Sequence, residues 1–287
     1  MVVAQITRRS FDAAFQVESQ ILEVPSVRRM SLTQQRGMLD RFDAHGFVIL
    51  RCLNLSDSYQ DLLGLGRYFG NPAPHPRADD QGIVGINAFK HSVGFLGSTP
   101  AEHLLHTDGA FRDAPEKIIT LQCVTPAATG GMTILASAQA AYDHVARAFP
   151  DKVEALSRAD ALTVTRTSQS STQAVFTRSG EWCGIKFRMH DGAAEVTPHS
   201  DAQEIFEELC RFFEAPENRF QFRLEAGDIM IADNTAVVHG RTSFAPDEPR
   251  NMRRLNFDAT GPACARMIFG FLPSVSSEAG SEAWLDR

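Results

Sequence analysis

Apolar positions along the chain fall into short runs broken by glycine, proline and polar turns. Phe47 to Leu50, Gly82 to Phe89, Lys117 to Cys123 and Met132 to Leu135 read as strands, and so do Ala161 to Thr167, Ala174 to Thr177 and Trp182 to Phe187. The last third is the richest in them, with Phe220 to Leu224, Asp228 to Ala232, Ala236 to Val238, Arg254 to Phe257 and Met267 to Phe271. Helical spacing is confined to a few stretches. Ser31 and Gln34 form a capping box ahead of Leu32, Met38, Leu39 and Phe42, and that helix ends near Gly46. Further helices are expected over Ser56 to Gly70, Ser137 to Ala148, Asp151 to Leu156 and Asp201 to Phe213, the last with Ile205, Leu209, Phe212 and Phe213 on one face.

Many short strands with a few helices predict a mainly β fold, a sandwich or barrel with flanking helices packed outside it. The regular strand-helix alternation of a doubly wound fold is absent. Gly64, Gly66 and Gly70 miss the dinucleotide-binding spacing and lie within a helical pattern, so they carry no cofactor reading. No repeat or shift in composition divides the chain, which predicts a single domain over residues 1–287, with residues 1–30, which show no clear period, as an N-terminal arm.

Composition narrows the partners. A hydrophobic share of 43% over 287 residues supplies a large core, while a net charge of -7 argues against nucleic acid or an anionic membrane as the main partner. Cys52, Cys123, Cys183, Cys210 and Cys264 are odd in number and dispersed, the pattern of free thiols in a reducing compartment. With no signal-like start and no run of membrane-spanning length, a cytoplasmic protein acting on a small molecule is the expectation. A homo-oligomer is compatible with all of this.

The chemistry is expected in Leu104-Leu105-His106-Thr107-Asp108-Gly109-Ala110-Phe111 together with His239. Side chains two apart on an extended strand share a face, so His106 and Asp108 can hold one ion. With one distant histidine they make a two-histidine, one-carboxylate set, which leaves coordination positions open, as non-haem iron(II) oxygenases require. The polar loop from Lys90 to His103 leads into this strand and makes Asn87, His91, Glu102 and His103 pocket candidates. Arg188 ends a strand that could face the same pocket, while Asp233 and Asn234 read as turn-formers and Arg241 as a brace for the loop after His239 through backbone carbonyls. Arg250, Arg253 and Arg254 close behind His239 call for an anionic partner.

Gly227-Asp228, Asp233-Asn234 and His239-Gly240-Arg241 with a downstream arginine, joined to the upstream His106-Thr107-Asp108-Gly109, resemble the TauD/TfdA-type, clavaminate synthase-like, iron(II)/2-oxoglutarate-dependent dioxygenases. The resemblance runs from about Phe47 to about Phe257. It implies a double-stranded β-helix, or jelly roll, core and an oxidoreductase using Fe(II), 2-oxoglutarate and O2. By position it implies His106, Asp108 and His239 as the catalytic iron ligands, Arg250 for the distal carboxylate of 2-oxoglutarate with Thr133 assisting, and Arg254 for an acidic group of the substrate. The implied reaction oxidises an unactivated C–H, most simply by hydroxylation, while 2-oxoglutarate becomes succinate and CO2. Desaturation, epoxidation and cyclisation branch from the same chemistry. Arg254, Arg188 and the polar loop favour a small polar, amino-acid-derived substrate. A metal-dependent hydrolase or lyase, or an inactive binding domain on the same fold, remains as an alternative of another class, but either leaves Thr133 and Arg250 without a role.

Overall fold

Ser31 opens the first helix as its spacing predicts: its Oγ accepts from the Gln34 amide at 3.2 Å, and the Gln34 side chain accepts from the Ser31 amide at 3.0 Å. Gly46, at φ 81°, closes it in the left-handed conformation. The structure is a computed structural model, and it describes residues 8–87, 97 and 99–275. Its first half contains β1 (Ile21–Val24), α1 (Leu32–His45), β2 (Phe47–Cys52), α2 (Ser58–Gly64), α3 (Gly66–Phe69), β3 (Val84–Asn87), β4 (His103–His106), β5 (Ile118–Thr125) and β6 (Thr133–Ser137). The middle adds α4 (Ala138–Ala148), β7 (Leu162–Arg166), β8 (Gln169–Gln173), β9 (Phe176–Ser179), β10 (Trp182–Ile185), β11 (Glu195–Pro198) and α5 (Gln203–Glu214). The end supplies β12 (Phe220–Phe222), β13 (Asp228–Asp233), β14 (Val237–Arg241) and β15 (Asn251–Arg254).

Two sheets make the double-stranded β-helix, one ordered β1-β2-β13-β5-β15-β3 and the other β12-β6-β14-β4. Strand alternation explains why the first is buried on both sides. Phe47 and Ile49 of β2, with Met230 and Ala232 of β13, join Leu135, Phe220, Phe222 and Val237 of the other sheet in one apolar cluster. Val48, Leu50, Ile229 and Ile231 point the opposite way, onto Met38 and Phe42 of α1 and Leu62 of α2. Phe47 is fully buried against the rings of Phe11, Phe15, Phe220 and Phe222, a burial worth roughly 2–3 kcal/mol. A third cluster joins α4 and α5 to β7, β9 and β10 and forms the helical flank.

Several elements depart from the pattern. The expected helix from Ser56 to Gly70 is broken into a short 3₁₀ turn, α2 and α3, and the one expected near Asp151 is a 3₁₀ segment, Val153–Ser157. β8 and β11 escape apolar periodicity because Gln-Ser-Ser-Thr-Gln and Glu-Val-Thr-Pro are mostly polar; both pair with β7. The strand expected at Arg254 to Phe257 lies three residues upstream, at Asn251–Arg254, where it pairs with β3 and β5. Met267 to Phe271 forms no strand of its own and meets β10 only through a Cys183–Phe271 bridge. Residues 8–30, read as an arm, are packed: β1 runs parallel to β2, and Arg8 is buried with Nη1 2.5 Å from Asp233 Oδ2 and 2.6 Å from the Gly270 carbonyl. All five cysteines are free, and among the described residues no helix is long and apolar enough to cross a membrane.

Candidate active site

β4 and β14 are antiparallel neighbours, and their register sets His106 directly opposite His239. Directly opposed residues share a face and lie within side-chain reach, so the two rings meet with centroids 4.4 Å apart. The next pair is Arg241 with His103, so β4 carries one extra residue between pairs, a bulge at Leu104–Leu105. This places His103 and His106, three apart, on the same side, where their rings stack at 4.0 Å. Gly240 permits the close approach of the strands: a Cβ there would lie 2.7 Å from the His103 carbonyl oxygen.

β4 ends at His106, and Asp108 sits in the turn that follows rather than in the strand itself. It still faces the histidines, because Thr107 is tied to the Phe187 carbonyl through its amide at 2.8 Å and His106 bridges to Arg188. Gly109, at φ 71°, turns the chain away, and a Cβ there would meet the Glu116 Oε2 at 2.7 Å. Asp108 Oδ1 lies 3.6 Å from His106 Nε2 and 3.8 Å from His239 Nε2, and the three ligand atoms fall within 4.8 Å of one another.

The protonation states suit a metal. His106 Nδ1 is 2.8 Å from the Leu104 carbonyl oxygen; a carbonyl only accepts, so Nδ1 carries the proton and Nε2 presents its lone pair. Burial, reinforced by the His106 ring, pushes His239 down to about 3, so it is a neutral imidazole at pH 7. Burial alone would raise the Asp108 carboxyl, but the Arg254 guanidinium outweighs it and holds it well below the usual carboxylate range. Arg254 Nη1 is 3.0 Å from Asp108 Oδ2, and Asn256 Nδ2 donates to the same oxygen at 2.8 Å.

Asn234 holds this turn from behind. Its Oδ1 accepts from the Asp108 amide at 2.8 Å, and its Nδ2 donates to the carbonyls of Asp108 at 2.9 Å and Glu116 at 2.7 Å. Read from sequence as a turn-former, it is also the clamp on the ligand loop. Asn234→Ala would strip three buried backbone groups of their partners and loosen Asp108. A loss of about 10- to 100-fold in Fe(II) affinity is expected, as for residues that orient a metal ligand. Anaerobic metal titration measures it, and an unchanged affinity would show that the turn holds itself.

The three groups open onto a void of about 1040 Å³, counted with the solvent at its mouth. Ile86, Phe111, Ile119, Leu121 and Met230 give it apolar walls. Arg241 and Arg250 stand on one side. Arg241 donates to the backbone carbonyls of Thr99 and Ala101, so it braces the loop before β4 rather than the one after His239. Arg250 is 3% exposed, its side chain lies over Gly131, and its Nη1 has no hydrogen-bond partner among the described residues. Burial lowers its guanidinium to about 10. An orphaned buried donor of this kind fits an acidic ligand.

Other sequence candidates are distributed unevenly. Arg188 and Arg254 line the void, and Arg188 is buried against Asp191 at 2.5 Å. Thr133 is buried in β6 directly across from Arg241, outside the lining residues. Glu102 is exposed and Asn87 half-buried at the end of β3; neither lines the void, and His91 lies outside the described residues. His103, which does line it, is held well below its ordinary value by burial and the neighbouring His106. Asn256, Arg77 and Arg166 were missed: the first is an isolated amide, Arg77 lies in a polar loop and Arg166 at the end of β7, without local spacing to flag them.

The model of the TauD, TfdA family, taurine catabolism dioxygenase, matches residues 7–256. Uridine-5'-phosphate dioxygenase from Streptomyces sp is 26% identical over 240 residues, spanning 76% of this chain and 86% of that protein. The fold is shared with the PvcB protein from Pseudomonas aeruginosa (TM-score 0.61, 18% identity, 90% of this chain and 93% of that one). It is shared too with AAD-2 in complex with Mn(II) and N-oxalylglycine (TM-score 0.65, 16% identity, 88% and 99%). Matched over most of its length, the chain belongs to the TauD, TfdA family, the non-haem iron, 2-oxoglutarate-dependent dioxygenases that its motifs resemble.

Proposed function

We propose that the protein oxidises an unactivated C–H of a small polar, negatively charged substrate, with hydroxylation as the outcome. His106, Asp108 and His239 hold the iron(II), and Arg250 receives the distal carboxylate of 2-oxoglutarate, with Thr133 two residues beyond the Gly131 over which the Arg250 side chain lies. Bound together there, iron(II), 2-oxoglutarate and O2 supply an oxidative decarboxylation to succinate and CO2 coupled to removal of a substrate hydrogen atom. The chain's own part is positional and electrostatic. The Leu104 carbonyl fixes the His106 tautomer, Arg254 and Asn256 keep the Asp108 carboxylate ionised and oriented, and Asn234 fixes the turn that carries it. Arg188 and Arg254 take the acidic end of the substrate, as an amino-acid-derived molecule would present, while Phe111 and Met230 keep water from its carbon skeleton.

The observation that carries this reading is the convergence of three ligand atoms beside a buried arginine whose Nη1 lacks a partner. Anaerobic addition of Fe(II) and 2-oxoglutarate should produce the weak visible charge-transfer band of the chelated cosubstrate. Admission of O2 with a turned-over substrate should then release succinate. Absence of the band, with hydrolytic activity on addition of zinc, would favour a metal hydrolase instead.

A further inference from the structure

Arg8 lies near the start of the chain, yet five acceptors inside the protein surround its five guanidinium N–H groups. Nη1 reaches Asp233 Oδ2 at 2.5 Å and the Gly270 carbonyl at 2.6 Å. Nη2 meets the carbonyls of Ile268 at 2.6 Å and Phe42 at 3.3 Å, and Nε that of Asp43 at 3.4 Å. Acceptors from α1, from the segment after β15 and from the turn between β13 and β14 thus converge on one cation. Only the planar fork of an arginine matches so many at once.

The turn that Arg8 grips leads to two of the three proposed metal ligands. Asp233 is fully buried, and Arg8 is its only ion-pair partner among the described residues. Its Oδ2 also accepts from the Gly270 amide at 2.8 Å, while Oδ1 accepts from the Thr235 amide at 2.8 Å and hydroxyl at 2.6 Å. The next residue, Asn234, holds the Asp108 amide and carbonyl, and β14 leaves the same turn to set His239 opposite His106. The Asn234 amide donates to the Lys117 carbonyl at 2.9 Å and the Ala236 amide to that of Asp233 at 3.1 Å. Adjacent residues of a turn closed in this way move together. Without Arg8, the Asp233 carboxylate would be buried with no cation, and would have to take up a proton or draw away towards water. Either change starts one residue from the clamp on Asp108.

Resting on the dioxygenase reading of the trio, we propose that Arg8 is a positioning residue for the iron site, acting through the Asp233–Asn234 turn. Docking of the N-terminal segment that carries Arg8 and binding of the metal then support one another.

The test uses the full-length protein freed of metal and titrated with Co(II), whose visible ligand-field absorption reports the arrangement of its ligands. Arg8→Gln should lower Co(II) affinity about tenfold or more and alter that absorption, the scale of losing a group that orients a metal ligand. Arg51→Gln breaks the Arg51–Asp228 pair, 2.8 Å long, at the other end of β13. It should lower thermal stability and leave Co(II) affinity and absorption as in the wild type. Because Arg8 and Asn234 act on one path, Arg8→Gln added to Asn234→Ala should weaken binding much less than it does alone. Arg8→Lys keeps the charge but offers three donors for five acceptors, so it should fall between Arg8→Gln and wild type, and it decides the matter if Arg8→Gln does not fold. In the wild type, Co(II) should slow hydrogen exchange of the Gly270 amide, which donates to Asp233, more than that of the Glu225 amide, which donates to Asp228 at 3.0 Å. Wild-type affinity and absorption in every Arg8 variant that folds, equal losses from Arg8→Gln and Arg51→Gln, full additivity with Asn234→Ala, or equal slowing at the two amides would overturn the proposal. A wild-type protein that binds no Co(II) overturns the metal trio itself, whereas Co(II) binding indifferent to Arg8 overturns only the role of Arg8.

Discussion

Asp108→Ala is expected to lower 2-oxoglutarate-dependent succinate release by about three orders of magnitude or more, because removing one member of a set that acts as a unit costs nearly the whole contribution. Two effects combine. The substitution takes one of three ligand atoms from the proposed iron site, and it removes the acceptor of Arg254 Nη1 and Asn256 Nδ2. The Asn256 amide is buried, and leaving its donor unpaired costs about 1–3 kcal/mol. Arg254 has a side-chain exposure of 22% and can turn partly to water, so its loss adds less. Fe(II) binding, succinate release and thermal unfolding measured on one preparation separate the effects. Asp108→Ala protein that unfolds a few degrees earlier yet turns over at near wild-type rate would remove Asp108 from the metal site.

Arg250→Ala should raise the 2-oxoglutarate KM by about 100-fold, the scale of truncating one partner of a desolvated charge pair. The rate at saturating 2-oxoglutarate should fall much less, since the ligand atoms of His106, Asp108 and His239 are untouched. Its effect on the apoprotein distinguishes this arginine from one retained for stability. Arg250 Nη1 lacks a hydrogen-bond partner among the described residues, so its removal relieves a buried charge while costing the contact of its guanidinium with the Phe244 ring, 5.4 Å away. Thermal unfolding of the apoprotein is therefore expected to change little, while the extra stability conferred by 2-oxoglutarate should largely vanish. An unchanged KM with a large drop in apoprotein stability would assign Arg250 to the scaffold.

Local chemistry made much of the protein legible before any coordinates. The Ser31–Gln34 box, the apolar face of α5 and the Ser137 cap of α4 follow from neighbours within a turn or two, where periodicity reports directly on structure. His106, Asp108 and His239 stood out because residue types that bind metals are few and their spacing along an extended chain is readable. The family motifs placed Arg250 by position, and the structure adds its burial and its orphaned nitrogen. Strand limits were less secure where polar residues form edges, as in β8, or where turn and strand compete, as at Asn251–Arg254.

Residue types and local spacing, then, pointed to a mainly β architecture and, with the family motifs, to the candidate metal trio. Tertiary structure alone decided the bulge that turns His103 onto His106, the Asn234 clamp on a loop 126 residues away and the Asn256 bond across 148. It alone buried Arg8 against Asp233, 225 residues distant, and gathered Arg77, Arg166, Arg188 and Arg254 around one space. Periodicity records only which face of an element meets the core. Which charge meets which partner depends on how the sheets close, and that closure is set by the whole chain at once.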